Sequence, residues 1–137
     1  MTELTTKIVL PSRLEAIAEA AGRAASIIGH HGLSEKAAFG VDLALREAVT
    51  NAVLHGNKQD ETKTVEVTFT SSVDALTITV RDMGNGFDLA TVPDPTDPRN
   101  VLKSSGRGIF FMRTFMDEVE WSRHADGGTL VRMTKRR

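Results

Sequence analysis

Two neighbouring stretches alternate apolar and polar residues with the period of a half-buried strand. Val65, Val67 and Phe69 form the first, and Leu76, Ile78 and Val80 the second. The turn residues between them (Ser71, Ser72 and Asp74) predict a hairpin. A second hairpin is predicted near the end of the chain. Val119, Trp121 and Arg123 read as one strand and Thr129, Val131 and Met133 as the other, joined by a tight Asp126-Gly127-Gly128 turn. Lys135, Arg136 and Arg137 read as a frayed tail beyond it. The first strand is expected from Thr6 to Leu10, ended by Pro11. Helical spacing follows, with Leu14, Ile17, Ala21, Ala24 and Ile28 as an apolar stripe. Ser12 would be its N-cap, Glu15 would complete a capping box, and Gly29 and Gly32 would break the helix, leaving His30-His31 in a loop. A second helix is predicted from Ser34 to about His55, stopped by Gly56-Asn57. A third opens at Gly106-Arg107-Gly108 and ends near Met116.

The order of elements is strand, two helices, two strands, a long loop, a helix and two strands. It predicts an α+β fold, a two-layer sandwich whose mixed, mostly antiparallel sheet of about five strands carries three helices on one face. The other sheet face should be more polar, because strands buried on both faces would read as continuous apolar runs. Residues 88–105 lack periodicity and hold three of the four prolines, at 93, 95 and 98. An irregular stretch of that length inside a compact domain is often functional. The 137 residues suit one domain, 1–137. Seventeen basic against eighteen acidic side chains give a net charge of -1, which argues against a general nucleic-acid binder. The chain has no cysteine, so disulfides, thiolate metal sites and a cysteine nucleophile are excluded. No apolar run approaches the roughly 18 residues of a membrane span, and Met1-Thr2-Glu3-Leu4 is not a positively charged leader. A cytoplasmic protein with no membrane partner is expected.

Three motifs carry candidate chemistry. On the second helix Glu47 and Asn51 are four apart and share one face amid Ala44, Leu45, Ala48, Val49, Ala52 and Val53. Such a polar stripe faces solvent, a partner or a ligand, and asparagine is a poor mid-helix residue. Asp82-Met83-Gly84-Asn85-Gly86-Phe87 follows a strand directly. Its glycines permit either a plain β-turn or a close backbone approach to a ligand, and its carboxylate can accept a hydrogen bond from an exocyclic amine. Ser104-Ser105-Gly106-Arg107-Gly108 leads into a helix. It reads as a serine cap after a loop, or as an anion cradle in which free N–H groups, the helix dipole and Arg107 meet a phosphate.

The three motifs in this order resemble the GHKL ATPases, whose nucleotide-binding domain is the Bergerat fold. Residues Glu47 to Asn57 (EAVTNAVLHGN) and Ser105 to Trp121 (SGRGIFFMRTFMDEVEW) are similar to the small anti-sigma-factor serine/threonine kinases of that superfamily. The resemblance spans Leu10 to Met133. It implies roles for particular residues. Glu47 would be the general base and Asn51 a Mg²⁺ ligand, a role its amide oxygen suits because Mg²⁺ takes oxygen ligands and retains waters. Asp82 would bind the adenine amine, with Gly84 and Gly86 shaping the pocket. Gly106 and Gly108 would form the hinge and phosphate turn of an ATP lid at about 88–105, beside Ser105 and Arg107. Thr129 would reach adenine through water. A chain of this length has no room for a phosphoacceptor helical hairpin or a transducer domain, so a stand-alone kinase or regulator is expected.

The resemblance therefore implies an ATP- and Mg²⁺-dependent serine/threonine protein kinase. It would hold an RNA polymerase sigma factor inactive and phosphorylate a small anti-sigma antagonist protein, as a homodimer. Two alternatives remain at this level. One is a non-catalytic, nucleotide-gated binding module of the same fold. The other is a single-domain member of the sensor-kinase class acting on a histidine, which acid lability of the phosphoprotein would reveal. Arg107 is weighted toward phosphate contact, whereas His55, His124 and Trp121 are given no site role.

Overall fold

A computed structural model describes residues 3–57, 60–83, 112–123 and 127–136. The chain enters on strand β1 (Leu4–Pro11), passes through helices α1 (Glu15–His31) and α2 (Glu35–Asn51), and continues α2 with a π-helical turn, Ala52–Gly56. Strands β2 (Thr64–Ser71) and β3 (Ala75–Arg81) follow. Residues 112–115 are helical, and β4 (Glu118–Arg123) and β5 (Thr129–Arg136) complete the described elements. The five strands lie in the order β1-β2-β3-β5-β4.

All four pairings are antiparallel, so the sheet is more uniform than the mixed one expected. Connectivity explains this. The helix pair between β1 and β2 returns the chain beside the strand it left, running the other way. β5 then inserts between β3 and β4, which share a direction without pairing.

Period-two burial places the core on one face. Val65, Val67 and Phe69 of β2, Leu76, Ile78 and Val80 of β3, and Val131 and Met133 of β5 are buried with Ile8 and Leu10 of β1. The helices cover that face, and Met112 and Met116 join the same core. In α1 the buried row is Ala16, Ala20, Ala24 and Ile28, with Ala21 beside it. Of the expected stripe, Ala21, Ala24 and Ile28 are buried, whereas Leu14 is half exposed and Ile17 only partly buried, with Ala16 and Ala20 taking the core positions of the first turns. Four-residue spacing through alanines lets α1 pack closely, a choice that favours small side chains over the larger Leu14. Within α2, Gly40 serves a similar purpose. A Cβ there would sit 2.7 Å from the Phe115 ring.

Several boundaries differ from the sequence expectation. Ser12 does not cap α1. Its N–H donates to the Lys63 carbonyl at 3.2 Å, its side chain is buried, and the helix starts at Glu15 without a side-chain cap. Gly29 stays helical. Gly32, at φ +82°, ends the helix in the left-handed conformation that glycine tolerates best, so His30-His31 forms the last turn instead of a loop. His31 is buried, its Nδ1 hydrogen bonded to Ser71 Oγ at 2.7 Å. Ser34 does cap α2, its hydroxyl accepting from the Ala37 N–H at 3.1 Å. Lys135 and Arg136 belong to β5, opposite Leu76 and Ala75, instead of fraying. The 106–111 part of the third predicted helix, His124 and Asp126 lie outside the described residues.

Candidate functional site

Glu47 and Asn51 occupy the last two turns of α2, one above the other. At Asn51 the regular helix ends and the π-helical turn begins. The N–H of Ala52 is shared between the Ala48 and Val49 carbonyls, and the Asn57 N–H closes the wider turn on the Ala52 carbonyl at 2.8 Å. Single π-helical turns inside helices are frequent at functional sites. The change of pitch starts at the residue expected to hold the metal.

Asp82 follows the end of β3 and is buried. Its N–H donates to the Thr129 carbonyl at 3.0 Å, and its Oδ1 accepts from the Thr129 N–H at 3.1 Å. The two residues thus extend the β3–β5 ladder one step beyond Arg81 and Leu130. Two glycines lie against Asp82, one at its carboxylate and one at its main chain. A side chain on Gly56 would fall on the Asp82 carboxylate, and one on Gly128, at φ +87°, would fall on the Asp82 carbonyl. Only hydrogen at both α-carbons leaves room for the acid.

Asn51, Asp82 and Thr129 converge on one cleft between the end of α2 and the sheet, walled by Ala48, Val131 and Trp121. The Arg113 guanidinium lies 5.5 Å from the centre of the Trp121 ring. The cleft is narrow, about 20 Å³, room for about one water. Thr129 Oγ1 is buried without a hydrogen-bond partner among the described residues. An unpaired buried hydroxyl is costly. Here it lines a cleft beside a carboxylate, where a bound polar group or a water would satisfy it.

Glu47 is not part of the cleft lining; it stands one turn earlier on α2, half-buried. Burial pushes its carboxyl above the ordinary range. Among the described residues no group of three or more histidine, cysteine, aspartate or glutamate side chains could hold a metal ion. Asn51, the expected metal ligand, lines the cleft. Gly84, Gly86, Ser105, Gly106, Arg107 and Gly108, together with the expected lid at 88–105, lie outside the described residues. Among those described, no helix is long and apolar enough to cross a membrane.

Sequence reasoning assigned no role to Gly56, Asn57 or Gly128. Glycine and asparagine after a helix are ordinary stop signals, and Gly127-Gly128 reads as a turn, so nothing in one sequence marks them. The structure gives both ends of the Asn57 amide a partner. It is buried, its Oδ1 accepts from the Met83 N–H at 2.8 Å, and its Nδ2 donates to the Thr64 carbonyl at 2.9 Å.

An antiparallel sheet with helices on one face, and a largely apolar cleft holding Asn51, Asp82 and Thr129 where a helix end meets the exit of a strand, define a two-layer α+β sandwich. Comparison with known proteins sharpens that class. The model of the histidine kinase-like ATPase domain matches residues 10–135, and the chain belongs to that family. Its relatives include the anti-sigma F factor of Clostridium perfringens, 36% identical over 100 residues that cover 70% of each chain. The serine-protein kinase RsbW of Bacillus licheniformis is 36% identical over 116 residues, covering 76% of this chain and 71% of its own. The RsbW of Listeria monocytogenes is 31% identical over 132 residues, covering 92% and 83%.

Proposed function

We propose that this protein is an ATP-dependent serine/threonine protein kinase that acts as an anti-sigma regulatory factor. In this reading it binds a sigma factor and phosphorylates a small anti-sigma antagonist protein, as a cytoplasmic homodimer and a single domain. Membership of the histidine kinase-like ATPase family, with relatives named anti-sigma F factor and serine-protein kinase RsbW, supports the class of activity. The observation that carries the site is the meeting of Asn51, Asp82 and the unpartnered Thr129 hydroxyl on one cleft.

The residues present fit a purine nucleotide. Asp82 is held by the Thr129 backbone so that its carboxylate can accept an amine, and Thr129 Oγ1 can bond to the ring or to a water on it. The described part of the cleft, about 20 Å³, has room for a water and not for a purine ring, so this reading requires a wider cleft in the bound state. Mg²⁺ suits Asn51, whose amide oxygen is a hard ligand, with phosphate oxygens and water as the other ligands. When bound, the metal supplies charge neutralisation on the phosphates. Gly84 and Gly86 are assigned to the adenine end. The lid at 88–105 with Ser105, Gly106, Arg107 and Gly108 is assigned to the phosphate end, where N–H groups and a guanidinium would meet anionic oxygens.

Phosphoryl transfer is largely positioning plus charge stabilisation. Glu47 supplies the remaining group, a carboxylate that orients the incoming hydroxyl and takes its proton. Its raised pKa brings it nearer to the value a general base needs. Glu47→Ala should keep ATP affinity and lose transfer by about 10²–10⁴-fold, read as label passing from γ-labelled ATP to the antagonist. Transfer at the wild-type rate would remove Glu47 from this role. The same assay separates the kinase from a nucleotide-gated binding module, which leaves the antagonist unlabelled.

A further inference from the structure

We infer that Asn57 is a positioning residue of the nucleotide site, acting through Asp82 and Met83 to set the base selectivity of the cleft. The inference rests on the assignment of Asp82 to the adenine amine.

Asp82 stands where β3 ends, and ladder bonds to Thr129 hold it on the β5 side. On the other side the chain runs on into Met83, which pairs with no strand and is 45% exposed. A carboxylate that must discriminate between an amine and a carbonyl on a purine needs its backbone fixed at both ends. Asn57 supplies the second end. Its Oδ1 takes the Met83 N–H at 2.8 Å, one residue beyond Asp82, while its Nδ2 donates to the Thr64 carbonyl at the start of β2, at 2.9 Å. Its own N–H closes the π-helical turn on Ala52, 2.8 Å away. One buried amide therefore ties three elements together at the site: the end of α2, the start of β2 and the exit of β3.

Gly56 completes the arrangement. Its α-carbon lies against the Asp82 carboxylate with no space for a methyl group. The main chain at Gly56 limits the side chain of Asp82 while the side chain of Asn57 limits its main chain. Asn51, which lines the same cleft, stands only six positions before Asn57, at the start of the same turn. The π-helical turn thus connects the proposed metal ligand to the proposed base reader.

A residue that merely supports the fold would weaken all nucleotides alike when removed, because only the folded fraction falls. A positioning residue changes the ratio between ligands that differ at the atom Asp82 reads. The test measures affinities of Mg²⁺-ATP and Mg²⁺-ITP, which differ in the 6-amino group, for the full chain and its Asp82→Asn, Asn57→Ala and Asn57→Asp variants. Wild type should prefer ATP, and Asp82→Asn should lose that preference. Asn57→Ala should lower the ATP:ITP ratio about tenfold. Asn57→Asp keeps an acceptor for the Met83 N–H and should retain more of the ratio than alanine does. If Asn57→Ala does not fold, the comparison of Asn57→Asp with wild type decides, because the loss of only the Thr64 bond should still lower the ratio measurably. A ratio unchanged in the folded Asn57 variants while Asp82→Asn abolishes it overturns the role of Asn57. A ratio unchanged in Asp82→Asn itself overturns the underlying assignment of the base reader instead.

Discussion

Glu47 and Asp82 carry the same functional group in two different environments. The Asp82 carboxylate is enclosed by backbone, with the Thr129 N–H on its Oδ1 and the Gly56 α-carbon against it, and is suited to a fixed hydrogen bond. Glu47 has only partial burial acting on it, and that pushes its carboxyl upward. A raised carboxyl pKa means that the folded state resists ionisation. Its stability contribution is fully present below the ordinary carboxylate range and is lost as pH rises through the raised value. Glu47→Gln should therefore be more stable than wild type at pH 7, with the gain shrinking to nothing as pH falls below the usual carboxylate range. Thermal melts of the two proteins across that window check the sign, and an equal Tm difference at every pH would contradict it. At Gly128 the positive φ and the Asp82 carbonyl act together. Gly128→Ala should cost about 2 kcal/mol or more in urea unfolding. Residue types at 47, 51, 82 and 129 were legible as candidates in the sequence. Their environments were not, because burial and an unpaired hydroxyl at Thr129 arise only when distant segments meet.

At the scale of elements, the alternating strands and the two long helices follow from the order of side chains, and the structure keeps all of them. The misplaced details share a physical cause. A serine before a helix and a glycine within one carry local preferences worth about 1 kcal/mol. Packing overrides these at Ser12, which is buried under the chain near Lys63, and at Gly29, where the helix runs on to Gly32. At Ser34 preference and packing agree, and the cap forms. Ser34→Ala should lower stability by about 1 kcal/mol while leaving ATP affinity unchanged, since Ser34 is no part of the cleft. A nucleotide affinity that fell with it would show that the start of α2 is coupled to its end. The π-helical turn had no sequence signal. Its five residues, Ala52–Gly56, read as ordinary helix, and the wider pitch is visible only in the Asn57–Ala52 bond.

For the whole molecule, the two-layer design separates stability from function. The buried face of the sheet is apolar, whereas the opposite face carries threonines and charged side chains, among them Glu66. The Lys7 ammonium hydrogen bonds to Glu66 at 2.9 Å, with Arg81 on its other oxygen at 3.1 Å, and the carboxyl is held below the ordinary range despite partial desolvation. Strands β1, β2 and β3 are linked by this trio. Its contribution is present above the usual carboxylate range and lost as pH falls through the lowered value. Glu66→Gln should flatten the acid limb of the stability profile and leave nucleotide binding alone. The strand order β1-β2-β3-β5-β4 could not be read from the chain, because alternation fixes faces and not neighbours. Three motifs separated along the sequence pointed to one site only through their resemblance to a family. Of these, Asn51 from the helix motif and Asp82 from the second line one cleft with Thr129, whereas Glu47 is not in its lining and the third motif lies outside the described residues.

In the proposed function this cleft holds Mg²⁺-ATP. Backbone amide NMR during a titration with Mg²⁺-ATP tests it most directly. The amides of Asn51, Ala52, Asp82 and Thr129 should shift together and saturate at one nucleotide concentration, and both Asp82→Asn and Asn51→Ala should weaken that binding. Shifts confined to other parts of the fold, or wild-type affinity in both variants, would contradict the account.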